Sequence, residues 1–306
     1  MERKHLTGRF PNLFRLRLHS IWVMNEKKVL ICVAPVPHTG SVVPDGVNVP
    51  VHPDAIAEEV LACAEAGAGM VHLHVRDENG EQTADLGHFS RTIDRIRQSS
   101  DIVLQGSTGG VADLSLEDRC VSLNEPRVEV ASLNMGSSNN GEGVYINTLP
   151  DIRFWAAKMK AGGIKPELEI FDLSMIGSVS KLRREGLVDE PLSYNFCLGF
   201  ENSLADHIDY LFYLKSSLPV GSHWGVIHRG MSDFALLVAA AAMGASTLSV
   251  GYEYSFCHHA GQVANTNAEL VRRLVEALAS IDRSPMTPSE ARKHLGLKLS
   301  RAIGNS

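Results

Sequence analysis

The chain has 306 residues, 44% of them hydrophobic and 21% charged, which supports a folded core and excludes a wholly disordered protein. No run approaches about 18 uninterrupted apolar residues, so no transmembrane helix is expected. The formal net charge of −6 is a poor match for phosphate-backbone binding, so no nucleic-acid partner is expected either.

Residues 1–23 carry Glu2 against Arg3, Lys4, Arg9, Arg15 and Arg17, a local charge of +4 that leaves −10 for the remainder. This basic segment differs in character from the rest of the chain. Residues 1–27 read as an N-terminal extension, either disordered or preceding a true start at Met24; a transit peptide is the alternative. The length beyond it suits one (β/α)8 barrel of roughly 250 residues with decoration. Five cysteines (Cys32, Cys63, Cys120, Cys197, Cys257) are odd in number and form no C-x-x-C pair. They read as a reduced set, and the expected location is the cytoplasm.

From Lys28 onward, short β-rich runs alternate with helical patterns. The strands are predicted at Val29–Pro35, Met70–Val75, Ile102–Ser107, Val128–Leu133, Pro166–Phe171, Leu192–Leu198, His223–Ile227 and Thr247–Gly251. Pro53–Ala66 reads as a helix with Pro53 in its first turn and Gly67 as its stop. Asn267–Leu278 reads as a helix entered by a capping box, Thr266-x-x-Glu269, with Leu270, Leu274 and Leu278 on one face. A last short helix opens at Thr287-Pro288-Ser289-Glu290 and stops at Gly296. Eight strand–helix units imply a parallel sheet closed into a TIM barrel over residues 28–306, with a C-terminal helical tail. In such barrels the chemistry sits at the C-terminal ends of the strands.

The second strand ends Val71-His72-Leu73-His74-Val75-Arg76. Residues i and i+2 of a strand share a face, so His72 and His74 project together, close enough to converge on one metal. Without an ion they would be two polar residues packed in the barrel mouth. On the eighth strand Thr247, Ser249, Gly251 and Glu253 form the smaller, more polar face. Glu253 then stands at the mouth, one strand away from the histidines, either as the third ligand or as a solvated loop acid. His2Glu with open positions is a catalytic zinc arrangement, and the same set could hold Fe(II) as a facial triad. The third strand runs into Ser107-Thr108-Gly109-Gly110, a glycine-rich turn able to cradle a carboxylate or phosphate, or simply a tight turn. Ser132 and Asn134 end the fourth strand, Glu169 lies on the fifth, and Arg229 comes after the seventh as a cation for a substrate carboxylate. Cys257-His258-His259 is a poor ligand set, because adjacent strand residues face opposite ways.

In their order and spacing, these pieces resemble the β-keto acid cleavage enzymes over nearly all of residues 28–297. The matching segments are Ala66-Gly67-Ala68, His72-Leu73-His74-Val75-Arg76, Ser107-Thr108-Gly109-Gly110, Ser132-Leu133-Asn134-Met135-Gly136, Pro166-Glu167-Leu168-Glu169, Val250-Gly251-Tyr252-Glu253 and Asn265-Thr266-Asn267-Ala268. The resemblance implies an oligomeric barrel, dimer or tetramer, with zinc on His72, His74 and Glu253. It implies a substrate carboxylate held by Ser107 and Gly110, helped by Ser132. The implied reaction turns a β-keto acid and acetyl-CoA into a new acyl-CoA and acetoacetate.

Two positions depart from the family. Its last strand runs Arg-x-Gly-x-Glu-Asp, whereas here Ser249 stands at the Arg and Tyr254 at the Asp. Arg229, Glu169 and Tyr254 are the residues available to take over the acid–base work. A third departure is His38, which stands where aminohexanoate-cleaving members carry an acidic amine-binding residue; this points to a substrate with a neutral or anionic tail. The other readings are a metal-dependent carbon–carbon lyase or hydrolase that needs no CoA, and a binding protein that kept the pocket and lost catalysis.

Overall fold

Eight parallel strands close on themselves in the computed structural model, which describes residues 27–109 and 114–297. The expected basic extension therefore lies, but for Lys27, outside the described residues, as does Gly110. The strands are β1 (Lys28–Val33), β2 (Met70–Leu73), β3 (Val103–Gly106), β4 (Val130–Asn134), β5 (Lys165–Ile170), β6 (Ser193–Leu198), β7 (His223–His228) and β8 (Thr247–Val250). The helices after them are α1 (Pro53–Ala66), α2 (Gly87–Arg97), α3 (Leu116–Arg119), α4 (Leu149–Gly162), α5 (Met175–Arg184), α6 (Ile208–Ser216), α7 (Ala235–Ala242) and α8 (Asn267–Ala279). A final helix, α9 (Pro288–Leu295), completes the chain's regular elements among the described residues. The TIM barrel expected from the alternation is what the chain forms.

Closure is made by β1, which pairs with β2 (Cys32 opposite Met70) and with β8 (Cys32 opposite Ser249). At the top of that seam Gly251 has φ +127°, and a Cβ there would stand 2.2 Å from the Ala34 carbonyl oxygen. Only glycine allows this approach. The same carbonyl accepts the Glu253 N–H at 3.2 Å, so the turn that needs glycine also aims Glu253.

The strands bury two different layers. Their outward residues join the helices in the main apolar core, which includes Ile31, Val71, Leu133, Leu168 and Val250. Inside the barrel the lower layer is apolar: Leu30, Met70, Val103 and Val130 pack on Met286, Ala291 and Leu295 of the α9 segment. Above it the interior turns polar, with Gln105, Ser132, Glu167, Asn195 and Ser249 all buried. That polar layer opens at the C-terminal mouth.

Two details differ from the sequence-based expectation. β2 ends at Leu73, not Val75, although Ser107 N–H still donates to the Leu73 carbonyl at 2.9 Å and carries the ladder to the His74 position. The capping box at α8 is half formed. Thr266 Oγ1 accepts the Glu269 N–H, but the Glu269 carboxylate accepts from Asn265 N–H instead of the N-cap. At α9 the box is complete between Thr287 and Glu290. The pattern along the chain also did not foresee α3 or an antiparallel hairpin, Ser138–Asn140 with Gly143–Tyr145.

The bottom of the barrel is closed by a buried ion pair. Arg292 of α9 meets both oxygens of Glu129, at 2.6 and 2.9 Å, and donates to the Asp101 carbonyl at 2.6 Å. Arg97 reaches the same carboxylate at 3.3 Å, so removing Arg292 takes away one of two cations on Glu129. Arg292→Ala is therefore expected to lower the unfolding free energy by about 1.5–3 kcal/mol in urea denaturation, with Arg292→Lys recovering part of it.

Candidate metal centre and substrate pocket

Barrel closure places the end of β8 beside the end of β2, with only β1 between them. His72 Nε2 and His74 Nε2 are 3.3 Å apart, His74 Nε2 lies 3.3 Å from Glu253 Oε1, and His72 Nε2 lies 3.9 Å from Glu253 Oε2. Ligands at about 2.0–2.1 Å from one tetrahedral ion are separated by about 3.4 Å, so three protein donors are already near ligand spacing. Among the described residues this is the grouping with the spacing of a metal site. The two histidines are also oriented from behind. His72 Nδ1 is 2.7 Å from Gln105 Oε1, so its proton is held there and Nε2 is left as the donor toward an ion. Gln82 Nε2 is 3.4 Å from His74 Nδ1 and 3.1 Å from the Gly109 carbonyl, linking the second histidine to the next turn.

Electrostatics fit the same assignment. Burial lowers His74 to about 4 against the pull of Glu253, which keeps the ring neutral and able to ligate. Burial works to raise Glu253, but the His74, His72 and His38 rings overcome it and hold the carboxyl well below its ordinary range. His38 Nε2 is 3.8 Å from Glu253 Oε1, and its own value is lowered by burial, with the Arg229 and Arg76 charges adding to the effect against the pull of Glu253. A narrow cleft leads from these groups between α1 and α2, walled by Val36, Val51, Ile56, Phe89 and Arg76.

The other expected residues surround this centre in different ways. Ser107 Oγ accepts the Gly109 N–H at 3.0 Å, so the turn presents the Ser107 O–H to the pocket and uses up the Gly109 donor internally. Ser132 Oγ accepts the Thr108 N–H at 3.2 Å and shapes that turn from behind. Asn134 is buried, its Oδ1 accepts the Gly136 N–H at 3.2 Å, and its Nδ2 has no partner among the described residues. Arg229 stands at the mouth with its guanidinium carbon 5.5 Å from the centre of the Phe200 ring. His258 of the Cys257–His259 strand turns away to Glu269, 3.6 Å distant.

Two carboxylates occupy the polar layer. Burial raises Glu167, while the Asn195 and Gln105 amides facing it pull the other way. Glu169 is pushed up to about 8 by burial and by the charges of Glu167 and Glu253. Burial and the charges of Glu253, Cys32, Glu169 and Glu167 raise Tyr254 well above the ordinary phenol value, so it is a hydrogen-bond donor and not a base. Ser249, buried opposite Cys32, supplies no positive charge to this layer.

Sequence reasoning missed three residues here. Gln105 could have been found, since it sits opposite His72 in the β2–β3 register. Gln82 and Tyr145 arrive on loop segments with no periodic signal.

Comparison with known proteins points the same way. The family model described as beta-keto acid cleavage enzyme matches residues 28–297. The chain is 33% identical over 252 residues to the 3-keto-5-aminohexanoate cleavage enzyme of Fusobacterium nucleatum, covering 82% of this chain and 91% of the relative. It is 30% identical over 297 residues to the 3-dehydrocarnitine:acetyl-CoA trimethylamine transferase of Rhizobium meliloti, covering 90% and 98%. Among solved structures the apo structure of ObcA superposes with a TM-score of 0.64 at 20% identity, over 81% of this chain; this chain spans 65% of ObcA. That likeness bears on the fold.

Two outcomes test the site. Gln105→Leu removes the acceptor behind His72 and is expected to weaken zinc binding 10- to 100-fold in a chelator competition, roughly the usual cost of losing an outer-shell partner. The second concerns Glu169 in the metal-free protein. A carboxyl raised from 4.5 to about 8 stabilises the fold by holding its proton; that contribution is complete below about 4.5 and lost as the pH rises through about 8. Relative to Glu169→Gln, the metal-free wild type should lose stability across that interval and run parallel to the variant above it, as read by thermal unfolding at each pH.

Proposed function

The chain belongs to the beta-keto acid cleavage enzyme family, and from that premise we propose that it exchanges acyl groups between a β-keto acid and acetyl-CoA, yielding an acyl-CoA and acetoacetate. The observation that carries this reading is the His72–His74–Glu253 cluster, with the Ser107 turn beside it and Glu169 near enough for the Glu253 charge to act on it. Named relatives support the acetyl-CoA half: besides the trimethylamine transferase, a 3,5-dioxohexanoate:acetyl-CoA acetone transferase of Paraburkholderia graminis is 29% identical over 304 residues, covering 89% and 97%.

Zinc is the metal we assign to His72, His74 and Glu253, from the donor set and its spacing; bound there, it would supply a Lewis acid that polarises the ketone. The rest of the work falls to the chain's own groups. Ser107 donates to the substrate carboxylate, with Ser132 and Gly109 shaping the turn that carries it and Asn134 Nδ2 offering a further donor. In its ionised form Glu169 takes the proton from the carbon between carboxylate and ketone, and that carbon attacks the acetyl carbonyl of acetyl-CoA and releases the CoA thiolate. When the bond between this carbon and the original ketone carbon breaks, the old acyl group leaves on CoA and Glu169 returns the proton to the departing acetoacetate. Burial raises this carboxyl, which favours the return of the proton. Tyr254 stays protonated and donates. Together these two groups take over the role for which relatives use the Arg and Asp that Ser249 and Tyr254 replace.

The mouth argues for the tail of the substrate. Arg229 and Arg76 are close enough to His38 for their charges to act on it, and no carboxylate stands in the His38 position to receive an ammonium group. A neutral or anionic tail fits this wall better than an amino tail. No helix among the described residues is long and apolar enough to cross a membrane, and we place the enzyme in the cytoplasm. We also assign it a homo-oligomeric state, dimer or tetramer, supported by the aromatic outer face of α6, where Phe212 is 60% and Tyr213 63% exposed.

The test is direct. Zinc-loaded protein is incubated with acetyl-CoA and a panel of β-keto acids, and mass spectrometry tracks acyl-CoA products and acetoacetate. New thioesters with uncharged or acidic tails are expected, lost in Glu169→Gln by about 10²- to 10⁴-fold. Consumption of the keto acid without acetyl-CoA would show a lyase instead; binding without turnover across the panel would show a non-catalytic pocket.

A further inference from the structure

Arg119 of α3 is buried without a carboxylate. One of its amino groups donates to the Ile146 carbonyl at 2.7 Å and the other to Asn147 Oδ1 at 2.6 Å, while its Nε has no acceptor among the described residues. Its guanidinium carbon lies 4.3 Å from the Trp155 ring centre and 5.2 Å from that of Tyr145. Both of these acceptors are neutral, although taking a cation out of water without a counter-charge is costly. Such a group favours an anion arriving close by.

Tyr145 connects this cation to the pocket. It ends the Ser138–Tyr145 hairpin, which is clipped to the barrel through Asn147: its N–H donates to Ser137 Oγ at 2.9 Å and its Nδ2 to the Gly136 carbonyl at 3.3 Å. The hairpin delivers the phenol to the substrate turn. A Cβ on Gly109 would stand 3.1 Å from Tyr145 Oη, 3.2 Å from Ser107 Oγ and 3.9 Å from His74 Cε1, so the two hydroxyls crowd together around this glycine beside the His74 ring. Burial, then the Glu169 charge, push the phenol up to about 12, with Arg119 pulling the other way. The hydroxyl is therefore a proton donor at any working pH. Two hydroxyl groups thus flank Gly109 beside His74, with the Arg119 guanidinium behind the phenol.

We propose that Tyr145 is a substrate-binding residue: its phenol donates to the carboxylate of the β-keto acid opposite Ser107, and Arg119 behind the ring supplies the positive charge that makes the anion welcome. A carboxylate has lone pairs enough for both hydroxyls, and hydrogen bonds to a charged acceptor are the stronger kind. This rests on the proposed function and deepens it, since it names a second anchor for the group common to every β-keto acid, independent of the tail.

The experiment compares wild type with Tyr145→Phe, both zinc-loaded and full length, using acetoacetate and its methyl ester as probes in titrations monitored by NMR. Loss of a hydrogen bond to a charged group should weaken acetoacetate binding roughly 10- to 100-fold. The ester should bind both proteins alike, and in turnover the KM for the keto acid should rise while that for acetyl-CoA stays put. Equal binding of acetoacetate to both proteins overturns the assignment, as does an equal loss for acid and ester, which would mark a merely structural role. Failure of the wild type itself to bind acetoacetate or turn over any keto acid would instead overturn the proposed function and this assignment with it.

Discussion

Everything at the mouth depends on how the barrel closes. β1 is the only strand between the histidines at the end of β2 and the glutamate beyond β8, so the spacing of these three candidate ligands is a consequence of the register on both edges of β1. Gly251 is the point where this is enforced. Its positive φ and the close approach of the Ala34 carbonyl turn the chain sharply enough for Glu253 to lean back over the histidines. A side chain at that glycine would separate the two edges and pull one ligand out of the set.

The second constraint is the change of polarity inside the barrel. Below, Leu30, Met70, Val103 and Val130 make an ordinary dry layer; one layer higher, carboxylates, amides and hydroxyls are buried together. Such a layer is unfavourable to fold, and its cost is offset by the apolar shell between strands and helices. What it provides is a low-dielectric setting in which Glu169 holds a proton near 8. Ser249 is part of that outcome. With no guanidinium there, the Glu167 and Glu253 charges add to burial in raising Glu169.

Much of this was legible in the chain itself. The strand–helix alternation, the His72–His74 spacing, the polar face of the eighth strand and the glycine turn after the third are all local patterns, and local patterns set which side chains share a face. The family resemblance rested on the same segments, and its barrel matches the fold observed. Less legible were features made by segments without periodicity. The capping residue Glu269 turned to Asn265 because that backbone donor was nearer, a matter of a single loop conformation. The hairpin carrying Tyr145 offered no signal, since its three-residue strands are too short to show alternation.

The sequence by itself determined the fold class, the candidate ligands and the two missing family residues, because period, spacing and residue chemistry act over a few neighbouring positions. Only the tertiary structure decided which of the polar residues face one another. Gln105 behind His72, Glu169 among other carboxylates, and Tyr145 beside Ser107 are pairings between residues 33 or more positions apart, or held by different strands and loops. Their distances, and the burial that sets their protonation, exist only once the barrel has closed.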